Sequence, residues 1–174
     1  QKNTLKSDLS VIVLIQIAAL LYGLWTVSVA RPAWIVFAYD RFDLVRANDM
    51  DRRELHLAQP PYTTASWFGP QWASLRSVAD FENRDEIIRD VYDSDIDLSR
   101  RPYLYQPLEL SREEISQRIR PLQQLYRFNQ EEEVQAILAR YPQANGWLPL
   151  RAIEQNMAVL LEDANVLAVV DLEI

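Results

Sequence analysis

From Leu9 to Ala30 the chain reads LSVIVLIQIAALLYGLWTVSVA, an uncharged apolar run of about 22 residues that as a helix would rise roughly 33 Å. That slightly exceeds the hydrocarbon core of a bilayer, so the pattern predicts a transmembrane helix. The apolar core of a signal peptide is shorter, about 7 to 15 residues. The chain begins at Gln1 without an initiator methionine, which suggests sequence upstream. Arg31-Pro32 ends the helix, because the residue before proline is pushed out of the α region. Trp34-Ile35-Val36-Phe37-Ala38 then reads as a strand apolar on both faces, and Phe42 and Leu44 alternate with Arg41 and Asp43. Together they predict one long strand, bulged near Asp40.

Beyond it the period changes several times. Ala47-Asn48-Asp49 offers a cap for a short polar helix carrying Met50, Leu55 and Leu57, stopped by Pro60-Pro61. Tyr62 to Ser66 reads as loop, Trp67-Phe68-Gly69-Pro70 as a turn, and Trp72 to Val78 as a second strand. Asn83 and Glu86 precede a stripe of Ile87, Ile88, Val91 and Tyr92 that predicts a helix. Asp93 to Pro107 reads as an irregular connection. Ser111 and Glu114 form a capping box for a helix that Pro121 must kink or split, and Asn129 with Glu132 opens another that Pro142 ends. Met157 to Leu161 and Val166 to Leu172, joined by a polar turn at 162–165, predict a hairpin. Trp147 to Arg151, which contains Pro149, reads as an edge strand beside it.

Sheet signals at both ends of the domain, with helices between, predict an α+β fold. Residues 1–31 form a transmembrane helix continuous with a domain over residues 32–174, whose mostly antiparallel sheet carries helices on one side. The net charge of −7 argues against nucleic acid and against a polybasic hold on anionic lipid, so attachment to membrane lipid rests on the helix. The chain has no cysteine, which excludes disulfides, thiol catalysis and thiolate metal sites. Three glycines leave no phosphate-cradling loop, and no small-molecule substrate or cofactor is expected.

Candidate chemistry is sparse. Asp93, Asp95 and Asp97 copy the opening of a calcium loop, but Leu98 stands where its glycine belongs and Leu104 where its glutamate belongs. No metal site is expected there. The aspartates at 40, 43, 49 and 51 are interleaved with Arg41, Arg46, Arg52 and Arg53, which reads as surface ion pairing. His56 is the single histidine and no G-x-S-x-G elbow accompanies it, so no catalytic residue is assigned. Trp67, Phe68 and Trp72 suggest a client surface, with core or membrane-proximal packing as the alternative. Within the span, Gln16, Ala19, Gly23, Thr26 and Ala30 share one helical face, small and polar. Such a face suits close approach of another helix, either a foreign one or one upstream in the same chain.

Several motifs together carry a family likeness. Lys6-x-Asp8-Leu9, Gln16-x-x-Ala19-Leu20-x-Tyr22-Gly23, Ala30-Arg31-Pro32, Val36-Phe37 with Asp40-Arg41-Phe42, and Ala47-Asn48-Asp49 resemble the TfpX/TfpZ family of type IV pilin accessory proteins. Pro60-Pro61-Tyr62, Gly69-Pro70 and Arg101-Pro102-x-x-Tyr105 extend the likeness; from Ser111 onward only the layout matches. The resemblance implies further membrane helices upstream, the bacterial inner membrane, and a periplasmic C-terminal domain. Charge alone leaves the orientation tied, and the resemblance places Lys2 and Lys6 in the cytoplasm. It also implies a non-enzymatic partner of type IV pilin, whose hydrophobic helix and globular head both need holding before assembly. The alternative is a structural component of the pilus machinery with no chaperone role.

Overall fold

The computed structural model describes the backbone of residues 2–174 and the side chains of residues 9–174. The side chains of Lys2 and Lys6, on which the orientation reading rests, lie outside the described ones. Helix α1 (Lys2–Ala30) contains the Leu9–Ala30 stretch, long and apolar enough to cross a membrane, with none of it buried against the rest of the protein. A single residue, Arg31, separates it from β1 (Pro32–Ala38).

β1 is buried on both faces from Ala33 onward, as the unbroken apolar run requires. The strand predicted to continue past Asp40 instead turns back. Tyr39 (φ 63°) and Asp40 close a two-residue hairpin, and β2 (Arg41–Arg46) returns antiparallel with Ala38 opposite Arg41. Neither Tyr39 nor Asp40 is the glycine or asparagine that normally marks such a turn, so the pattern read through it. The short helix predicted from Ala47 is also absent. Asp49 donates its amide to the Arg46 carbonyl and ion-pairs with that arginine, and Asp51 accepts the Arg53 amide. These local bonds compete with helix, and one 3-10 turn, Leu55–Leu57, remains.

β3 (Gln71–Leu75) lies parallel to β1, and α2 (Arg84–Ser94) buries Ile87 while Ile88 and Tyr92 stay exposed. Inside the connection read as irregular, β4 (Tyr105–Gln106) pairs with β3. Helix α3 (Arg112–Arg118) ends before Pro121, which splits the segment as predicted and leaves a 3-10 stretch, Leu122–Arg127. Helix α4 (Glu131–Leu138) follows, then β5 (Gly146–Arg151), β6 (Met157–Glu162) and β7 (Asn165–Val170). All seven strands form one sheet in the order β4-β3-β1-β2-β5-β6-β7, with four antiparallel and two parallel seams. The α+β class and the direct passage from apolar helix to mostly antiparallel sheet are as expected.

Two details differ. β5 is internal, not an edge strand, with β2 on one side and β6 on the other; its seam with β2 covers only Leu150 and Arg151, so Pro149 sits just outside it, where no amide is demanded. The helices also divide between the faces of the sheet. Along β6, Val159 and Leu161 join α3's Ile115 in one apolar cluster, while Ala158 and Leu160 join α4's Val134 in another. Alternate strand residues point to opposite faces, so α3 and α4 cover opposite sides. Gly146 lets the segment after α3 close in: a Cβ there would lie 2.0 Å from the Ile119 Cγ2 atom, where Arg120 and Trp147 exchange backbone bonds.

Candidate membrane and partner interface

On α1, Gln16, Ala19, Gly23 and Thr26 are exposed and Ala30 is half-buried beside the domain. A Cβ on Gly23 would meet nothing within 4 Å, so close approach of a second helix is sterically open there. The Thr26 hydroxyl donates to the Tyr22 carbonyl at 2.9 Å, which satisfies it within its own helix and leaves Gln16 as the polar group offered to a neighbour. Tyr22 and Trp25 pack 6.0 Å apart in the C-terminal half of the helix.

The junction below them is held by one side chain. Arg31 donates from Nη1 to the Ser28 carbonyl (2.5 Å), from Nε to the Ser66 carbonyl (3.0 Å) and from Nη2 to the Ala65 carbonyl (3.1 Å). Its guanidinium lies 4.2 Å from the centre of the Trp67 ring. Helix end and loop are thereby fastened to each other, although 35 residues separate Arg31 from Ser66 in sequence. Sequence reading assigned Arg31 only a helix-ending role; an arginine at the edge of an aromatic-rich span was the available signal.

Trp67, Phe68 and Trp72 do not form one surface. Trp67 is 71% exposed and Phe68 fully exposed, on a turn where Gly69 takes φ 116°. Trp72, on β3, instead packs edge-on to Phe42 at 5.3 Å in the same cluster as Phe37 and Leu148. Strand alternation separates them: the turn is free of the sheet, whereas Trp72 is bound to its inner face.

Several of the aspartates are tied to arginines. Asp43 is buried and receives Arg151 through two bonds of 2.8 Å, and the same guanidinium reaches Asp97 at 2.6 Å. That fork bridges β2, β5 and the loop after α2. Burial opposes ionisation of Asp97, but the hydrogen bond and charge of Arg151 hold its carboxyl below the usual range. A second network joins Asp51 and Asp90 through Arg53, with buried Arg101 at 2.5 Å from Asp90. Hydrogen bonds from Arg53 keep both carboxyls below their ordinary values, Arg101 adding to the effect at Asp90. The expected surface pairing thus holds for Arg46 with Asp49, while Asp43 and Asp51 are buried partners. His56 is exposed on its 3-10 turn, and no group of three metal-ligating side chains occurs among the described residues.

The sheet curls like half a barrel, and its two flanks enclose a groove of about 650 Å³ lined by Trp72 of β3, Val166 and Ala168 of β7, and Leu108 between them.

These features define a class: a curled α+β sheet domain set directly on the end of one long apolar helix. Particular relatives sharpen it. The chain is 29% identical over 119 residues to each of two proteins of Dichelobacter nodosus, the fimbrial assembly proteins of serogroup I and serogroup E1. The matched segment is 68% of this chain and 46% of each relative, so the chain spans about half the length of the curated relatives it matches. No family model and no solved structure matches the chain.

Proposed function

We propose that this chain is an inner-membrane accessory protein that stabilises or presents type IV pilin before pilus assembly, with α1 crossing the bilayer and residues 32–174 in the periplasm. The observation that carries this reading is the similarity to two proteins named for fimbrial assembly. The earlier likeness to the TfpX/TfpZ family agrees with it in kind. The role is non-enzymatic, and the client is held along Gln16, Ala19, Gly23, Thr26 and Ala30. A pilin helix carries an acidic residue near its start, and in a medium without water that carboxyl needs a hydrogen-bond partner. Gln16 supplies the amide, and Ala19 and Gly23 supply the smooth surface that close packing between membrane helices requires.

Copurification in mild detergent tests this. Gly23→Leu is expected to weaken pilin capture more than Leu21→Ala on another face, and Gln16→Leu to cost on the order of 1 kcal/mol. Crosslinkers at positions 19 and 23 should capture pilin. Capture of this protein's own upstream helices alone would overturn the assignment of the face. Deletion should deplete pilin or leave it unassembled; unchanged pilin abundance would favour a purely structural component of the machinery. Pilus output should survive His56→Ala combined with Asp93→Asn and Asp95→Asn, and its collapse with the protein folded would bring back an enzymatic role.

A further inference from the structure

The strand registers fix which loops share the end of the domain where α1 enters. β1 starts there at Pro32, and β2 ends there, with Arg46 opposite Pro32. β3 runs parallel to β1 with Gln71 beside Trp34, so the turn just before it, which carries Trp67 and Phe68, lies at that end. β5 runs parallel to β2 with Arg151 beside Asp43, so the loop that follows it overshoots toward the same end. In that loop Ile153 is 59% exposed, and it shares a small pocket with Ala30, Pro32 and Arg46. Two apolar tips therefore flank the helix exit, one beside β1 and one beside β2.

Depth follows from α1. Leu9–Ala30 rises about 33 Å as a helix against a hydrocarbon core of about 30 Å, so the next residue, Arg31, falls within the interfacial layer of about 5 to 7 Å. With the apolar run spanning the hydrocarbon, Arg31 stands at headgroup level, and its bonds to the Ala65 and Ser66 carbonyls bring the base of the aromatic turn to the same level. A protein in water gains nothing from a fully exposed phenylalanine next to a tryptophan; at a lipid interface both side chains are favourable, and an arginine beside them keeps its charge among the headgroups.

We propose that Trp67 and Phe68, with Ile153 across the helix exit, seat in the lipid interface of the bilayer that α1 crosses, docking the domain onto the membrane surface. The inference rests on α1 spanning a bilayer, as proposed above, and needs no pilin. The absence of cysteine makes the test clean, since a single introduced thiol is the sole labelling site. Phe68→Cys and Ile153→Cys, Tyr39→Cys at the far end of β1, and Ala19→Cys within the span would each carry a nitroxide. The full chain would be reconstituted in nanodiscs of phosphatidylethanolamine and phosphatidylglycerol. The measurement is relaxation enhancement by oxygen, which concentrates in lipid, relative to that by a water-soluble nickel chelate.

The oxygen-to-nickel ratio at positions 68 and 153 is expected to be several-fold above that at Tyr39 and below that at Ala19. A ratio at 68 and 153 equal to that at 39, with position 19 in hydrocarbon, overturns docking and leaves the membrane reading intact. An aqueous position 19 overturns both. Protection of position 68 from the nickel chelate only when pilin is added would make the turn a protein-binding surface and overturn the lipid assignment.

Discussion

α1 and the β5–β6 pair are both strongly apolar, and they end in opposite environments. Leu14, Leu20 and Leu21 on α1 are each more than half exposed, whereas Leu148, Leu160 and Leu161 are completely buried. Neither region shows alternation, so pattern alone does not tell them apart. Length does. A six-residue strand covers its backbone bonds by pairing with neighbours and its side chains by packing between layers, while a helix closes its own backbone bonds and needs only an apolar medium around it. The same side chains thus form protein core in one place and an open helix surface in the other.

Substitutions break that contrast most sharply. Leu148→Ala should destabilise the domain by about 2–5 kcal/mol in denaturant titration of the full chain in detergent, because it leaves a cavity between two layers. Leu21→Ala should leave the same transition unmoved. Gly146→Ala should cost about 1–3 kcal/mol, since its methyl group runs into Ile119 and, at 3.1 Å, into the Arg120 carbonyl. Arg151→Met should cost about 2 kcal/mol by leaving buried Asp43 with only the longer contact to Arg41, less than a fully buried pair because Arg151 is about half exposed. The smallest effect is that of acid. Asp49, Asp51 and Asp90 are held below the ordinary carboxylate value by hydrogen bonds from Arg46 and Arg53. Their contribution to stability is complete above the unfolded value of about 3.9 and is lost as pH falls through the lower folded values. Melting temperature should therefore fall as the pH drops below about 4, and Asp51→Asn should flatten that fall.

The membrane-type helix was legible because its length and lack of charge admit few other structures. Helix α3 was legible from Ser111 and Glu114, although the Ser111 hydroxyl serves Gln106 and leaves the helix end uncapped by its side chain. The hairpin at Tyr39 was illegible for a physical reason. Strands buried on both faces lose the alternation that would mark a reversal, and a tyrosine at positive φ gives no warning. Pro149 misled because proline is excluded only where an amide donor is needed, and the two-residue seam with β2 asks for none at that position. The spacing of Gln16 through Ala30 gave a face but nothing about what covers it. The helix–domain junction could not be read at all, because it depends on Arg31 meeting Ala65 and Ser66, a contact made only by the parallel return of β3.

That junction sets the reach of the domain. A globular head on a flexible linker sweeps a volume that grows with linker length, and partners anywhere within it are accessible. Here one residue joins helix to strand and three hydrogen bonds pin it. The domain has almost no search volume of its own. With α1 spanning a bilayer as proposed, a membrane-held partner reaches the domain by lateral diffusion, at the right height and facing the right way, and a tilt or rotation of the helix is passed to the sheet as if along a shaft.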